Sequence, residues 1–102
     1  MAFLEELDLS GVGMGLAGVV GLCEGLPNLV ALRSLNVSEN ALGDEGCITL
    51  LTTLCSSPAP NLQSLYLASN GLTSIALPSI ASALPTLHLL AHLALQRNNF
   101  HP

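Results

Sequence analysis

The sequence predicts an α/β solenoid, a right-handed β-α superhelix in which parallel strands line a concave face and helices cover the convex one. Three observations carry that prediction. One leucine pattern recurs four times along the 102 residues at near-constant spacing, the mark of stacked structural units. Each recurrence is followed by apolar residues spaced by four, which is a helical period. The apolar half of the composition is built from Leu, Ala, Val and Ile, with Phe3, Tyr66 and Phe100 as the whole aromatic set, which suits thin and regular layers.

The pattern is Leu-x-x-Leu-x-Leu-x-x-Asn-x-Leu. It opens as Leu4, Leu7 and Leu9, continues to Met14, and has Val12 where the asparagine belongs. The second copy is Leu32, Leu35, Val37, Asn40 and Leu42, and the third is Leu62, Leu65, Leu67, Asn70 and Leu72. The fourth, Leu90, Leu93, Leu95, Asn98 and Phe100, amounts to half a unit. The starts lie 28, 30 and 28 residues apart, which divides one domain over 1–102 into repeats at about 4–31, 32–61 and 62–89 with a partial one over 90–102. Each copy predicts a short strand whose leucines point inward. Asn40, Asn70 and Asn98 then have a structural role, because an amide both donates and accepts, and so satisfies backbone groups at the tight turn leaving the strand. Val12 cannot do this, which predicts an irregular first turn relieved by the glycines at 11, 13 and 15.

The second half of each unit predicts a helix of roughly ten residues. Gly18 and Gly46 share a column with Ala76, Leu22 and Leu50 share one with Ile80, and Leu26 and Leu54 share one with Leu84. Asp44 and Ser74 stand where a helix N-cap would accept a free backbone N–H. Pro27-Asn28, the stretch Ser56 to Asn61 and Pro85-Thr86 close the three helices.

Composition excludes several classes. Arg33 and Arg97 are the only basic side chains apart from three histidines, and the net charge is −5, so there is no cationic surface for phosphates; neither nucleic acid nor membrane is an expected partner. The uncharged stretch Gly11 to Cys23 is ended by Glu24 and Pro27 well short of the roughly 20 residues needed to span a bilayer. Glu5, Glu6 and Asp8 replace the basic start of a signal peptide. Cys23, Cys47 and Cys55 are odd in number, lack Cys-x-x-Cys spacing and sit in apolar surroundings, which predicts reduced, buried thiols of an intracellular, most simply cytoplasmic, protein.

Through the run Leu32-Arg-Ser-Leu-Asn-Val-Ser-Glu-Asn-Ala-Leu-Gly-Asp-Glu-Gly46 and its echo from Leu62 to Ala76, the chain resembles the ribonuclease-inhibitor-like class of leucine-rich repeats. That class also occurs in the GTPase-activating protein of the nuclear-transport GTPase and in nucleotide-sensing innate immune receptors. The resemblance implies a protein-binding scaffold that is not an enzyme, or else a fragment of a GTPase-activating or innate-sensor-type regulatory protein. Because the chain starts on a strand and stops part-way through a fourth unit, it is expected to be a segment of a longer array or to have its ends covered by partners.

Several motifs compete with this reading. Gly13-Met-Gly15-Leu-Ala-Gly18 is a literal G-x-G-x-x-G after a strand-like segment, with Glu39 further on, and read alone it suggests a dinucleotide-binding enzyme. Against it, Glu5, Glu6 and Asp8 do not suit a strand buried on both faces, and Gly18 already belongs to the repeat column. His88 and His92 are four apart but straddle a loop-to-strand junction, so no metal-ligand geometry stands behind the spacing. No catalytic set is placed by the register, Cys23 and Cys47 included, and Asn36-Val-Ser38 matches a glycosylation signal by chance. No cofactor is expected.

Strand alternation exposes the residues between the leucines. The concave columns are therefore Glu6, Asp8 and Ser10; Ser34, Asn36 and Ser38; Ser64, Tyr66 and Ala68; and His92, Ala94 and Gln96, with Glu39, Ser69 and Arg97 just beyond. From these, Glu6, Asp8, Ser34, Asn36, Ser64, Tyr66, His92 and Gln96 are the candidate protein-binding residues. The surface runs from acidic through small and polar to weakly basic, and Tyr66 is its one aromatic anchor.

Overall fold

The computed structural model describes residues 4–56 and 61–100. In chain order the elements are β1 (Glu6–Asp8), α1 (Gly15–Gly25) with a 3-10 turn over Leu26–Asn28, β2 (Ser34–Asn36), α2 (Gly43–Ser56), β3 (Ser64–Tyr66), a 3-10 turn over Ser74–Ala76, α3 (Leu77–Ala83) and β4 (His92–Ala94). The four strands form one parallel sheet in the order β1-β2-β3-β4. Parallel neighbours need a crossover between them, and here each crossover is a helical segment on the same side of the sheet.

The register follows the leucine pattern. Leu7, Leu35, Leu65 and Leu93 form one row across the sheet and point at the helices. Leu32, Leu35, Val37, Leu62, Leu65, Leu67 and Leu72 are closed off from solvent, and Val19, Cys47, Leu50, Leu54, Ala76 and Ile80 meet them from the helical side. Each buried leucine removes enough apolar surface to contribute about 1.5–3 kcal/mol before entropy is counted.

The asparagines do more than hold their own turns, because each reaches back to the repeat before it. Asn40 Oδ1 accepts from Val12 N (3.1 Å) and Met14 N (3.0 Å), while its Nδ2 donates to Leu9, Val37 and Ser38 carbonyls. Asn70 Oδ1 accepts from Asn40 N at 2.9 Å, and Asn98 Oδ1 accepts from Asn70 N at 2.9 Å and Leu72 N at 3.0 Å. The result is a ladder running down the turn edge. It corrects the expectation for Val12: the first turn is regular, since its amides are served by Asn40 and not by residue 12, and Val12 stands 60% exposed. The turn requires left-handed backbone at the residue before each ladder position, which Gly11 supplies without strain and Glu39, Ser69 and Arg97 adopt at φ between 55° and 60°.

Three further expectations change. Asp44 lies in the first turn of α2, and its carboxylate accepts from Thr73 N (2.8 Å) and Thr73 Oγ1 (2.6 Å) of the next repeat. Thr73, not Ser74, caps the third helical segment, its hydroxyl accepting from Ile75 N. Leu84 is 43% exposed, and Ala83 and Leu87 fill the core in its place. Ile80, Ala83 and Leu87 are spaced by three and four residues and so share the inward face, and α3 ends at Ala83 just before Leu84. Of the breakers, Pro27-Asn28 close the first helix as expected, α1 ending at Gly25 and the 3-10 turn at Asn28, and residues 57–60 lie outside the described residues. The glycine column has a steric reason: a Cβ at Gly18 would meet Met14 Cγ at 2.3 Å, and one at Gly46 would meet Leu42 Cβ at 3.1 Å.

Candidate functional site on the concave face

Parallel pairing places the candidate residues in two rungs across the sheet. One rung is Glu6, Ser34, Ser64 and His92; the other is Asp8, Asn36, Tyr66 and Ala94. Side chains two residues apart on a strand share a face, so seven of the eight candidates lie on one surface. Gln96 lies beyond the end of β4 and is exposed there. The third expected column is not a continuous surface: Ser38 and Ala68 are buried, because the Ser38 hydroxyl accepts from Ala68 N at 3.0 Å as the chain turns inward. The same burial removes the Asn36-Val-Ser38 hydroxyl from solvent.

Two rigid polar fixtures hold the acidic end. Asp8 accepts from Ser10 N (2.9 Å) and Ser10 Oγ (2.7 Å), and these hydrogen bonds hold its carboxyl below the usual carboxylate range. One repeat on, Asn36 Oδ1 accepts from Ser38 N at 3.0 Å in the equivalent arrangement. Where the chain enters the strands, Arg33 and Glu5 form an exposed ion pair at 3.1 Å, whose contribution to stability is small. Glu5, Glu6, Arg33, Ser34, Gln63, Ser64 and Tyr66 line a recess of about 270 Å³. The concave columns omit Glu5, Arg33 and Gln63, although all three sit one residue after the leading leucine of their repeats, an offset visible in the sequence.

The glycine run forms a turn leading into α1, and three of its amides are engaged within the fold: Met14 N by Asn40 Oδ1, Gly15 N by the Asn40 carbonyl and Gly18 N by the Met14 carbonyl. Those three are not free to cradle a phosphate. His88 is an exposed loop residue, His92 projects from β4, and no group of metal-ligating side chains occurs among the described residues. The three cysteines are free; Cys47 is buried, whereas Cys23 and Cys55 are half-buried, short of the full burial their surroundings suggested. Burial, with Asp44 adding to it, pushes the Cys47 thiol up to about 11. Burial also raises Cys55. Neither is activated as a nucleophile. Among the described residues no helix is long and apolar enough to cross a membrane.

A parallel sheet of strand-turn-helix units with an asparagine ladder defines a class of solenoid scaffolds. Family models for the leucine-rich repeat match residues 31–51 and 61–83, the second and third units. The chain is a leucine-rich repeat protein. It is 34% identical over 124 aligned residues to the human NACHT, LRR and PYD domains-containing protein 3, covering 93% of this chain and 12% of that protein. It is 33% identical over 96 residues to the human NACHT, LRR and PYD domains-containing protein 5, covering 94% of this chain and 8% of the relative. The chain therefore spans a small fraction of the relatives it matches. In solved structures the fold is shared with leiomodin-1 actin-binding site 2 (TM-score 0.82, 17% identity, 95% of this chain and 56% of that one). The Caenorhabditis elegans tropomodulin C-terminal domain is similar to the same degree (TM-score 0.81, 17% identity, 95% and 57%).

Proposed function

We propose that this chain is a non-catalytic protein-interaction module of an intracellular, cytoplasmic protein, and that its partner lies across the two polar rungs of the concave sheet. The observation that supports this most is the contrast between that face and the rest of the turn edge. Glu6, Asp8, Ser34, Asn36, Ser64, Tyr66 and His92 share one solvent-facing surface, while the turn amides and carbonyls beside it are bound within the ladder. A surface of that size, with one aromatic and few large side chains, suits a share of a larger contact. The similarity to NACHT, LRR and PYD domains-containing proteins over nearly the whole chain favours a segment of a regulatory protein of that kind, with further repeats on either side. We infer that Gln96 and Arg97 extend the contact at its weakly basic end.

The test is a comparison of two surfaces in the full-length parent. Glu6→Lys, Asn36→Arg, Tyr66→Ala and His92→Glu together should abolish recovery of the partners that the unchanged protein retains in a pull-down. Thr52→Arg with Ser82→Arg on the helical face should leave them in place. Unchanged partners with the concave variant, or loss with the helical one, would move the site elsewhere.

A further inference from the structure

Of the seven asparagines, Asn70 alone precedes a glycine. An Asn-Gly pair is the most reactive sequence for spontaneous deamidation, because glycine has no Cβ to obstruct its own nitrogen. The Gly71 nitrogen, on losing its proton to hydroxide, attacks Asn70 Cγ; a new N–Cγ bond closes a succinimide and ammonia leaves. Water then opens the ring at one carbonyl or the other, leaving aspartate or isoaspartate at position 70.

The fold holds that reaction off at the carboxamide itself. Asn70 is fully buried. Its Oδ1 accepts from Asn40 N (2.9 Å) and, more weakly, Leu42 N (3.4 Å), and its Nδ2 donates to Val37 O (3.0 Å) and Ala68 O (3.3 Å). The carboxamide therefore points across to the second repeat, and it cannot swing toward Gly71 N without breaking the ladder. Gly71 lies on the exposed turn at φ +69° with nothing near the place a Cβ would occupy, so crowding around Gly71 adds nothing to the block set by the immobilised amide. Asn40 and Asn98, at the equivalent positions, precede Ala41 and Asn99, whose side chains hinder the same attack.

We propose that Asn70-Gly71 is a latent deamidation site, silent in the folded stack and reactive whenever the contact between the second and third repeats opens. The product cannot restore the contact. A carboxylate has no N–H for the Val37 and Ala68 carbonyls, and its charge would be buried against them; isoaspartate also inserts an extra backbone atom into the turn. Each opening thus carries a chance of permanent loss of the fold at its centre.

The experiment follows conversion at positions 40, 70 and 98 by peptide mass mapping at mildly alkaline pH. It uses the whole chain with its cooperative melt verified, and the same chain in denaturant. Conversion should concentrate at position 70 in denaturant and fall by more than about tenfold in the native sample, since reaction then requires a rare local opening. Gly71→Ala, measured in denaturant where folding is irrelevant, should suppress it; Asn70→Asp should lose the cooperative melt. Equal rates at position 70 in both samples, or equal conversion at all three positions in denaturant, would overturn the proposal. An Asn70→Asp chain that melts like the unchanged one would do so as well.

Discussion

Gly11 donates to Ser38 O at 3.0 Å, Glu39 to Ala68 O at 2.9 Å and Ser69 to Gln96 O at 3.1 Å. On the other side of the molecule, α1, α2 and α3 run 11, 14 and 7 residues and begin in three different ways. The strand edge therefore repeats one hydrogen-bonding device while the helical layer varies in length, phase and capping. The physical difference is directional need. Backbone groups at the turns must find partners at fixed positions, whereas the helices need only present apolar volume to a shared core. Position in the register is set on the strand side, and the helical side accommodates what remains.

That comparison can be broken most directly at the ladder. Asn70→Leu would strand the Asn40 and Leu42 amides in a buried site and take one of two donors from the Val37 and Ala68 carbonyls, and should cost about 3–5 kcal/mol in denaturant-induced unfolding. A loss below about 1 kcal/mol would mean that the turn edge does not set the register. Next comes the helical layer, where two leucines at the same offset should differ. Leu54→Ala should cost about 3 kcal/mol, whereas Leu84→Ala, on an exposed residue, should cost less than about 1 kcal/mol. Equal costs would show that Leu84 does not turn away from the core.

A smaller effect sharpens the comparison through pH. The Cys47 thiol is raised from 9.0 to about 11 in the folded chain, so the unfolded chain ionises first. Its contribution is fully present below pH 9 and is lost as the pH rises toward 11. Melting temperature should therefore fall across that window, and Cys47→Ala should flatten the fall. The smallest effect is expected from Val12→Asn, within about 0.5 kcal/mol of the unchanged chain, because a ladder asparagine serves the repeat before it. Stabilisation well beyond that would show that the asparagine acts mainly within its own turn.

Much of this was legible in the chain itself. The leucine register alone placed Leu35 and Leu65 inward and Glu6, Asp8, Asn36 and Tyr66 outward, because strand alternation and a period near 28 residues leave one parallel arrangement. The asparagines were recognisable as turn-satisfying groups. Their direction was not, since an amide at residue 40 serving residues 12 and 14 is a contact between repeats that no local pattern contains. The same holds for Asp44, which bonds Thr73 twenty-nine residues on, and for Ser38, which is drawn inward by the Ala68 amide.

By itself, then, the sequence determined the class of fold, the strand register, the inward columns and the face on which the candidate residues gather, all consequences of periodicity. Only the tertiary structure decided which repeat each asparagine serves, why Val12 is tolerated, that Leu84 turns outward, and which residues line the recess. Those outcomes depend on where one repeat's groups fall against the next, and that distance is fixed only when the layers are stacked.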